Sequence, residues 1–462
     1  MNSGTTSRYL RHLLDCPVEG PGDPGYDQAR RIWNGDIDRH PAAIVHPRNE
    51  REVAAALTAA AAEQLEVAVR GGGHSFPGLS VCDGGLMISL DAMRAVSTDD
   101  GRRFRAQGGA LLRDLDIAAQ SHGRVVPSGV VSHTGIAGLT LGGGYGYLAR
   151  QWGLSCDNLH SVRMVCADGK TVEADDESQP ELMFGLRGGG GNFGIVTEFC
   201  YDTHPLREVV SGWILHPFDQ ALDFARFWRD FAATMPDQLF GLLRLRASGE
   251  TPFLPAELRG ADRAYIGLEV VWSGDTETGL KVLEPLRAWG KPACDTIAAG
   301  DFCTLQSSID SGAKHGVGRY ERSGYLAALG DDVIDDILPR LEHVPSNDCE
   351  TSIITLGGRI GEVADQDTAY SSRTAPFQFE VRSAWTDPAD RPGLVAWTRE
   401  TWSALTRYAT GAVYVNLVFD EGGDRVKTLY GAAKYERLAR LKAAWDPDNL
   451  LHLNQNIVPL HS

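Results

Sequence analysis

The sequence predicts an α+β protein built as at least two folding units, and three observations carry that expectation. The chain is 462 residues long, more than one compact core organises. Three glycine clusters crowd the part before Arg207 and then stop. Beyond that point strand-like and helix-like segments continue without them, which reads as a second α+β block.

Composition narrows the function classes. Hydrophobic residues make up 43% and charged residues 23%, ordinary for a globular enzyme. A formal charge of −17 argues against nucleic acid or an anionic membrane as partner, because both need clustered Lys and Arg. No stretch approaches the roughly 18 uninterrupted apolar residues of a membrane span. Residues 1–8 lack an apolar core and a cleavage site, so no signal peptide is expected. The eight cysteines are scattered with no C-x-x-C pair, and reduced thiols in a cytoplasm are the expectation. His204, His315 and His343 share no spacing with carboxylates or cysteines, so no metal site is expected.

The elements follow in order. Residues 1–35 read as a polar lead-in with a short helix ending at Trp33. Residues 41–45 read as a first strand, and Asn49 with Glu52 as a capping box for an alanine-rich helix running to Gln64. A second strand, 67–69, completes β-α-β and ends at Arg70, Gly71, Gly72, Gly73, His74 and Ser75, with Gly78 close behind. Glycine N–H groups can approach an anion or a flat ring where other residues clash. A neutral imidazole there reads as a nucleophile, a base or a ligand, or as a solvated side chain in a tight turn.

A strand at 86–90 and a strand-to-helix segment over 104–122 follow. The second cluster, 127–146, is dominated by small residues and hydroxyls: Ser128, Gly129, Ser132, His133, Thr134, Gly138, Gly142 and Gly143. Such backbone suits wrapping an extended, polyphosphate-containing cofactor. A strand at 162–165 and a turn at Asp168-Gly169 come next. In the third cluster, 187–194, Gly189, Gly191 and Gly194 spell G-x-G-x-x-G. That fingerprint needs a helix after it, and the β-branched run from Ile195 and Val196 to Phe199 is strand-like, so the dinucleotide reading fails on context. Beyond Arg207 the patterning predicts helices at 221–235 and 278–289 and strands at 264–272, 351–356 and 377–381. The tail predicts a strand at 412–418, a helix at 430–444, and a closing segment through Asn454.

Together these motifs resemble the FAD-linked oxidases with a PCMH-type flavin domain, the vanillyl-alcohol-oxidase superfamily, and within it the berberine-bridge-enzyme-like group. The resemblance covers nearly the whole chain. Residues 70–75 look like the flavin-attachment loop, and 142–146, 153–158 and 186–194 like later flavin-domain motifs. Tyr430-Gly431, Tyr435, Arg437-Leu438, Lys442 and 446–449 look like the C-terminal signature.

The resemblance implies a lead-in over 1–35, a two-subdomain FAD domain over 36–207, a substrate domain over 208–410, and a segment 411–462 returning to the FAD domain. It implies FAD joined covalently to His74. Cofactor contacts are implied for Arg70, Gly71–Gly73, Ser75, Gly78, Ser128, Gly129, Ser132, His133, Thr134, Gly138, Gly142, Gly143, Gly194, Ile195, Val196 and Asn454. His133 reads otherwise as a satisfied loop histidine. Many members attach FAD a second time through P-x-G-x-C, but here Pro127-Ser128-Gly129-Val130 is followed by Val131, so one bond through His74 is expected. Cys156 belongs to the later G-L-S-x-D-N motif and is not read as a second anchor.

The Y-x-N-Y tyrosine base is also missing, because the chain has Tyr414-Val415-Asn416-Leu417. Some nicotine-oxidase-like bacterial members lack it too. Residues 131–135 are similar to a stretch of the enterocin-pathway favorskiiase, an oxygenase, which implies Glu350 as an active-site carboxylate. Burial is expected to raise its pKa toward the working pH, with Tyr414 and Asn416 positioning flavin or substrate. Glu350 reads otherwise as a loop carboxylate ahead of a strand. The implied activity is an oxidase or oxygenase using FAD and O2 to tailor a small organic molecule in specialised metabolism, as a cytoplasmic monomer or homodimer. The competing readings are a carbohydrate or secondary-alcohol oxidase with a different base, and a catalytically silent flavin- or drug-binding protein.

Overall fold

The computed structural model describes residues 3–250, 254–260, 262–419 and 423–460. It is α+β: two sheet-and-helix units before Arg207, then one large antiparallel sheet backed by helices.

The first unit is a four-stranded sheet in the order Val18–Glu19, Ala43–Val45, Leu86–Ser89, Val67–Arg70. The last three strands are mutually parallel. Ala43–Val45 and Leu86–Ser89 are buried throughout, as parallel strands covered on both faces must be. The helix Glu50–Ala62 makes the crossover. Its Asn49 cap accepts from the Glu52 N–H at 3.0 Å, but the Glu52 carboxylate turns back to the Arg48 N–H and guanidinium, so the capping box is only half formed.

The second unit is a five-stranded antiparallel sheet in the order Val96–Ser97, Arg103–Gln107, Ile195–Asp202, Leu159–Val165, Thr171–Asp175. Its core also takes in Val413, Val415, Leu429 and Leu438 from the tail, so the end of the chain packs back onto this unit.

The large sheet runs Cys294–Asp295, Val209–Pro217, Ala264–Trp272, Leu239–Ser248, Glu350–Thr355, Phe377–Trp385, Gly318–Leu326, with Ala298–Gly300 beside Val209–Pro217. Side chains alternate between its faces. Ile266, Leu268, Ile353, Phe379 and Val381 lie on the face packed with Phe224 and Trp228 of the helix Ala221–Ala232 and Ile334 of Asp331–Ile337. The opposite face turns toward the glycine clusters.

Several expectations are corrected. The lead-in holds a helix over Ser3–Leu13, which buries Leu10, and only a single turn at Tyr26–Ala29, so Trp33 lies outside any helix. The second glycine cluster contains the short helix Ile136–Leu141. Residues 412–418 form no strand: they pass through a tight 3-10 turn at Val415–Leu417. Tyr414 and Asn416 bond to backbone of the glycine loops instead of to a sheet edge. The strands Val209–Pro217, Leu239–Ser248 and Gly318–Leu326 and the helix Arg391–Thr406 were not anticipated.

Candidate active site

The three glycine clusters meet around one cavity of about 1180 Å³, larger than the usual 300–1,000 Å³ of a small-molecule pocket. Gly72 and Gly135 seal one wall by backbone contact, since a Cβ on either would lie 2.3 Å from the other's nitrogen. Gly138 and Gly191 border the cavity, and a Cβ there would meet nothing within 4 Å. Asn454 Oδ1 is buried at the cavity with no partner among the described residues, as is Ser128 Oγ nearby. Open glycine backbone, unsatisfied polar atoms and the apolar side chains of Val69, Leu141 and Val196 suit a long ligand with both flat and polar parts, and FAD fits that description.

Of the residues expected to touch cofactor, Gly71, Gly72, Gly73, His74, Ser75, Gly129, Thr134, Gly138, Gly194, Ile195, Val196 and Asn454 line this cavity. Seven others do not. Arg70 turns its guanidinium to the Ala29 carbonyl, and Gly78 packs against Ile37 at a φ of +78°. Ser132 is bonded to Asp310 through both its N–H and its hydroxyl. Gly142 and Gly143 pack against the side chains of Asn416 and Tyr370, which a Cβ would strike. Ser128 and His133 sit behind the lining, and His133 reaches it through His74.

His74 is the most constrained group in the cavity. Its ring stacks on Trp33 at 4.5 Å with 19° between planes. Its Nε2 faces His133 Nδ1 at 2.6 Å, and Thr134 Oγ1 lies 3.4 Å from its Nδ1. Burial, with His133, His315 and Arg319 adding to it, holds its pKa well below the ordinary 6.5, so the imidazole is neutral near pH 7 and one nitrogen keeps a free lone pair. His315 joins the group, and one ring nitrogen from each of the three histidines lies within 4.8 Å of the others. The sequence spacing of these histidines had suggested no such cluster. Cys156 is fully buried, and burial pushes its thiol pKa well above 9.0; Val131, not a thiol, borders the same cavity as His74.

Across the cavity the large sheet presents polar side chains. Glu350 carries 14% side-chain exposure and lies between Arg382, at 2.7 Å, and Arg244, at 3.2 Å. The two guanidiniums outweigh its desolvation and lower its pKa below 4.5. The expected rise is therefore corrected: register, which pairs Glu350 with Arg382, puts cations where the sequence suggested only apolar neighbours. Three other carboxyls on this face move the other way. Burial raises Glu269 to about 7, and raises Glu321 and Glu380 above 4.5.

Tyr145, from the second glycine cluster, donates its hydroxyl hydrogen to Glu380, and Gln378 donates to Glu380 at 2.9 Å. Leu417 lines the cavity where a tyrosine was missed. The Tyr414 oxygen accepts from the Gly144 N–H at 3.0 Å and from Asn416 at 2.8 Å, so this pair buttresses the glycine loop. Sequence reasoning overlooked Trp33, Tyr145, Glu269, Glu321, Glu380 and Arg382. One signal was present: Gln378, Glu380 and Arg382 alternate with Phe377, Phe379 and Val381, a polar face on a strand that otherwise reads as core.

Residues 41–175 match a family described as FAD binding domain, and residues 413–458 match one described as berberine and berberine like. An FAD-linked oxidoreductase of Dictyostelium discoideum is 30% identical over 447 residues, 96% of this chain and 94% of that one. The (R)-6-hydroxynicotine oxidase of Paenarthrobacter nicotinovorans is 27% identical, over 95% of this chain and 96% of the relative. Among solved structures, 6-hydroxy-D-nicotine oxidase from Arthrobacter nicotinovorans superposes with a TM-score of 0.86 at 24% identity, covering 97% of this chain and 98% of that one. The xylooligosaccharide oxidase of Myceliophthora thermophila C1, in complex with xylobiose, does so at 0.86 and 21% identity over 100% of both chains. At these identities the structural likeness speaks to fold alone. Among the described residues no helix is long and apolar enough to cross a membrane.

Proposed function

Because the chain belongs to the FAD-linked oxidoreductases of the berberine-like group, we propose that it is an oxidase: it oxidises a small organic molecule with bound FAD, returns the electrons to dioxygen, and holds its flavin covalently through His74 alone. Bound in the glycine cavity, FAD supplies the two-electron acceptor for the substrate and the donor to dioxygen. The chain's own residues do the rest.

The single observation that carries the reading is His74, a neutral imidazole at the glycine loop with a partner nitrogen at 2.6 Å. Trp33 holds the ring plane, and His133 can take the proton that the imidazole gives up when its other nitrogen forms a bond. Val131 offers no thiol, and the buried, protonated Cys156 is no nucleophile. Small neighbours such as Val131 and Thr134 leave room for dioxygen near the attachment edge.

For the substrate's proton the geometry favours Tyr145 and Glu380 over Glu350. Glu350, neutralised by two guanidiniums, is a weak acceptor, and Leu417 is none. A proton that reaches the Tyr145 oxygen is matched by the tyrosine proton passing along the existing hydrogen bond to Glu380, whose raised pKa suits it to hold a proton. Glu350 with Arg244 and Arg382 then shapes the far wall. A sugar oxidase would use the tyrosine that Leu417 replaces, which weighs against that alternative.

Acid precipitation followed by peptide mass mapping tests the attachment: flavin is expected on the peptide containing His74 and on no other. Flavin wholly released by acid, or found on Cys156, overturns it. Stopped-flow reoxidation of photoreduced enzyme in aerated buffer tests the use of dioxygen. A rate no faster than that of free flavin refutes an oxidase and points to a dehydrogenase.

A further inference from the structure

Among the buried carboxyls that line the cavity, Glu321 is the one to which no described side chain offers a hydrogen bond or ion pair. It lies on the strand Gly318–Leu326, is only 2% exposed, and borders the cavity. Among the described residues no hydrogen bond or ion pair closes on its carboxyl. Its cationic neighbours are engaged elsewhere. Arg382 is its cross-strand partner by register, yet its guanidinium bonds Glu350 at 2.7 Å, and Arg244 also turns to Glu350. Arg319 stacks over the Trp33 ring at 4.1 Å and donates to the Val317 carbonyl. Glu380, on the adjacent strand, brings a second carboxyl toward the same region and is held by Tyr145 and Gln378. Burial and the nearby Glu380 push the Glu321 carboxyl well above its ordinary pKa, with Arg382 and Arg319 opposing.

A carboxyl this nearly buried, whose oxygens reach only the cavity and find no protein donor there, is costly. On a cavity wall, the missing donor is one that a ligand brings. We infer that Glu321, with Glu380 beside it, recognises a cationic nitrogen on the substrate, a protonated or quaternary amine. A hydroxyl would satisfy one lone pair but add nothing against the repulsion of two crowded carboxyls that Arg382 and Arg319 only partly offset, whereas a cation completes the offset and lets Glu321 ionise. This rests on reading the cavity as the substrate pocket of an FAD-linked oxidase, and it names that substrate's class.

The test uses the flavin-containing enzyme as purified, with benzyltrimethylammonium as cationic probe and benzyl alcohol as neutral probe. Binding is read by calorimetry and by tryptophan fluorescence, since Trp213 lines the cavity. The enzyme is expected to bind the cation about tenfold or more tightly than the alcohol. Glu321→Gln should weaken the cation about tenfold or more and the alcohol less than about twofold, at unchanged flavin content. Glu321→Asp, which keeps the charge, should keep the preference, and it decides the matter if the Gln variant does not fold.

No preference for the cation in the unaltered enzyme, including binding of neither probe below about 10 mM, overturns the inference. So does equal weakening of both probes by Glu321→Gln, or loss of the preference in Glu321→Asp. None of these readouts needs turnover. An enzyme that prefers the cation but never passes electrons to dioxygen refutes the oxidase reading and leaves this inference standing; an active oxidase indifferent to charge does the reverse.

Discussion

Replacing Lys442 with Met tests how the end of the chain secures the cofactor cavity. Lys442 sits in the helix Ala432–Trp445 with 0% side-chain exposure. Its ammonium donates to Asp446 at 2.6 Å, to the Asn192 carbonyl at 2.8 Å and to the Leu451 carbonyl at 3.0 Å. Asp446, equally buried, accepts from the Leu450 and Leu451 N–H groups, both at 2.8 Å. One hub therefore ties the last helix, the third glycine cluster and the segment leading to Asn454.

Burial lowers the Lys442 pKa from 10.5, and Asp446 only partly opposes it, so desolvation outweighs the attraction and the charged pair is no net source of stability. Removing one partner is another matter. Lys442→Met leaves a buried carboxylate unneutralised and two carbonyls without a donor, and breaking a buried pair in this way costs about 3–5 kcal/mol in all. We expect a loss near 4 kcal/mol. The double variant Lys442→Met with Asp446→Asn removes the stranded charge and should recover about 2 kcal/mol, a coupling within the usual range for direct partners. Because the folded pKa is depressed, the unfolded chain binds more protons between that value and 10.5. The Lys442 contribution should therefore grow as pH rises through this window, relative to Lys442→Met. Urea unfolding of the flavin-containing enzyme, followed by tryptophan fluorescence, measures all of this. A single-variant cost below about 1 kcal/mol, or a double-variant cost equal to the sum of the singles, refutes the reasoning.

Other outcomes follow from the same contacts. Glu380→Gln should lower kcat about 10²–10⁴-fold, while Glu350→Gln, which strands Arg244 and Arg382, should act mainly on KM and stability. A kcat loss in Glu350→Gln as large as in Glu380→Gln would return the acceptor role to Glu350. Glu269, fully buried with Tyr147 donating to it at 3.2 Å, has a folded pKa of about 7 against 4.5 unfolded. The folded state then binds the extra proton between those values, so stability falls as pH rises through that window, by about 3 kcal/mol at 1.36 kcal/mol per unit. Paired urea midpoints should show Glu269→Gln gaining on the unaltered protein by about that much from pH 4.5 to 8, and a constant gap would count against it. Gly135→Ala puts a Cβ 2.3 Å from the Gly72 nitrogen, so the purified variant should carry little flavin by its absorbance ratio; full loading would show that the two loops need not touch.

Much of the cofactor half was legible because its signals are local. Three consecutive glycines before His74 mark a backbone that comes close to a ligand, and the structure puts Gly71–Gly73 on the cavity wall. The strand after the third glycine cluster, which excluded a dinucleotide fold, is there as Ile195–Asp202. The tail misled because Val413, Val415 and Leu417 alternate as a strand would, yet Val413 and Val415 pack in one apolar cluster and Leu417 in another. The Tyr414 and Asn416 polar groups found partners on the glycine loops, which no local pattern displays.

What the sequence by itself determined is chiefly which groups are present or missing at marked positions: His74 after the glycines, Val131 where a thiol would stand, Leu417 where a tyrosine would. What only the tertiary structure decided is the charge state of the groups around them. Glu350 is held ionised by Arg244 and by Arg382, both distant in the chain, while Glu321 and Glu380, with the same side chain on the same face, are pushed toward the neutral form. Backbone preference is set by a residue and its near neighbours, but a pKa is set by whatever lies within several ångströms through space, and strand register alone chose those neighbours.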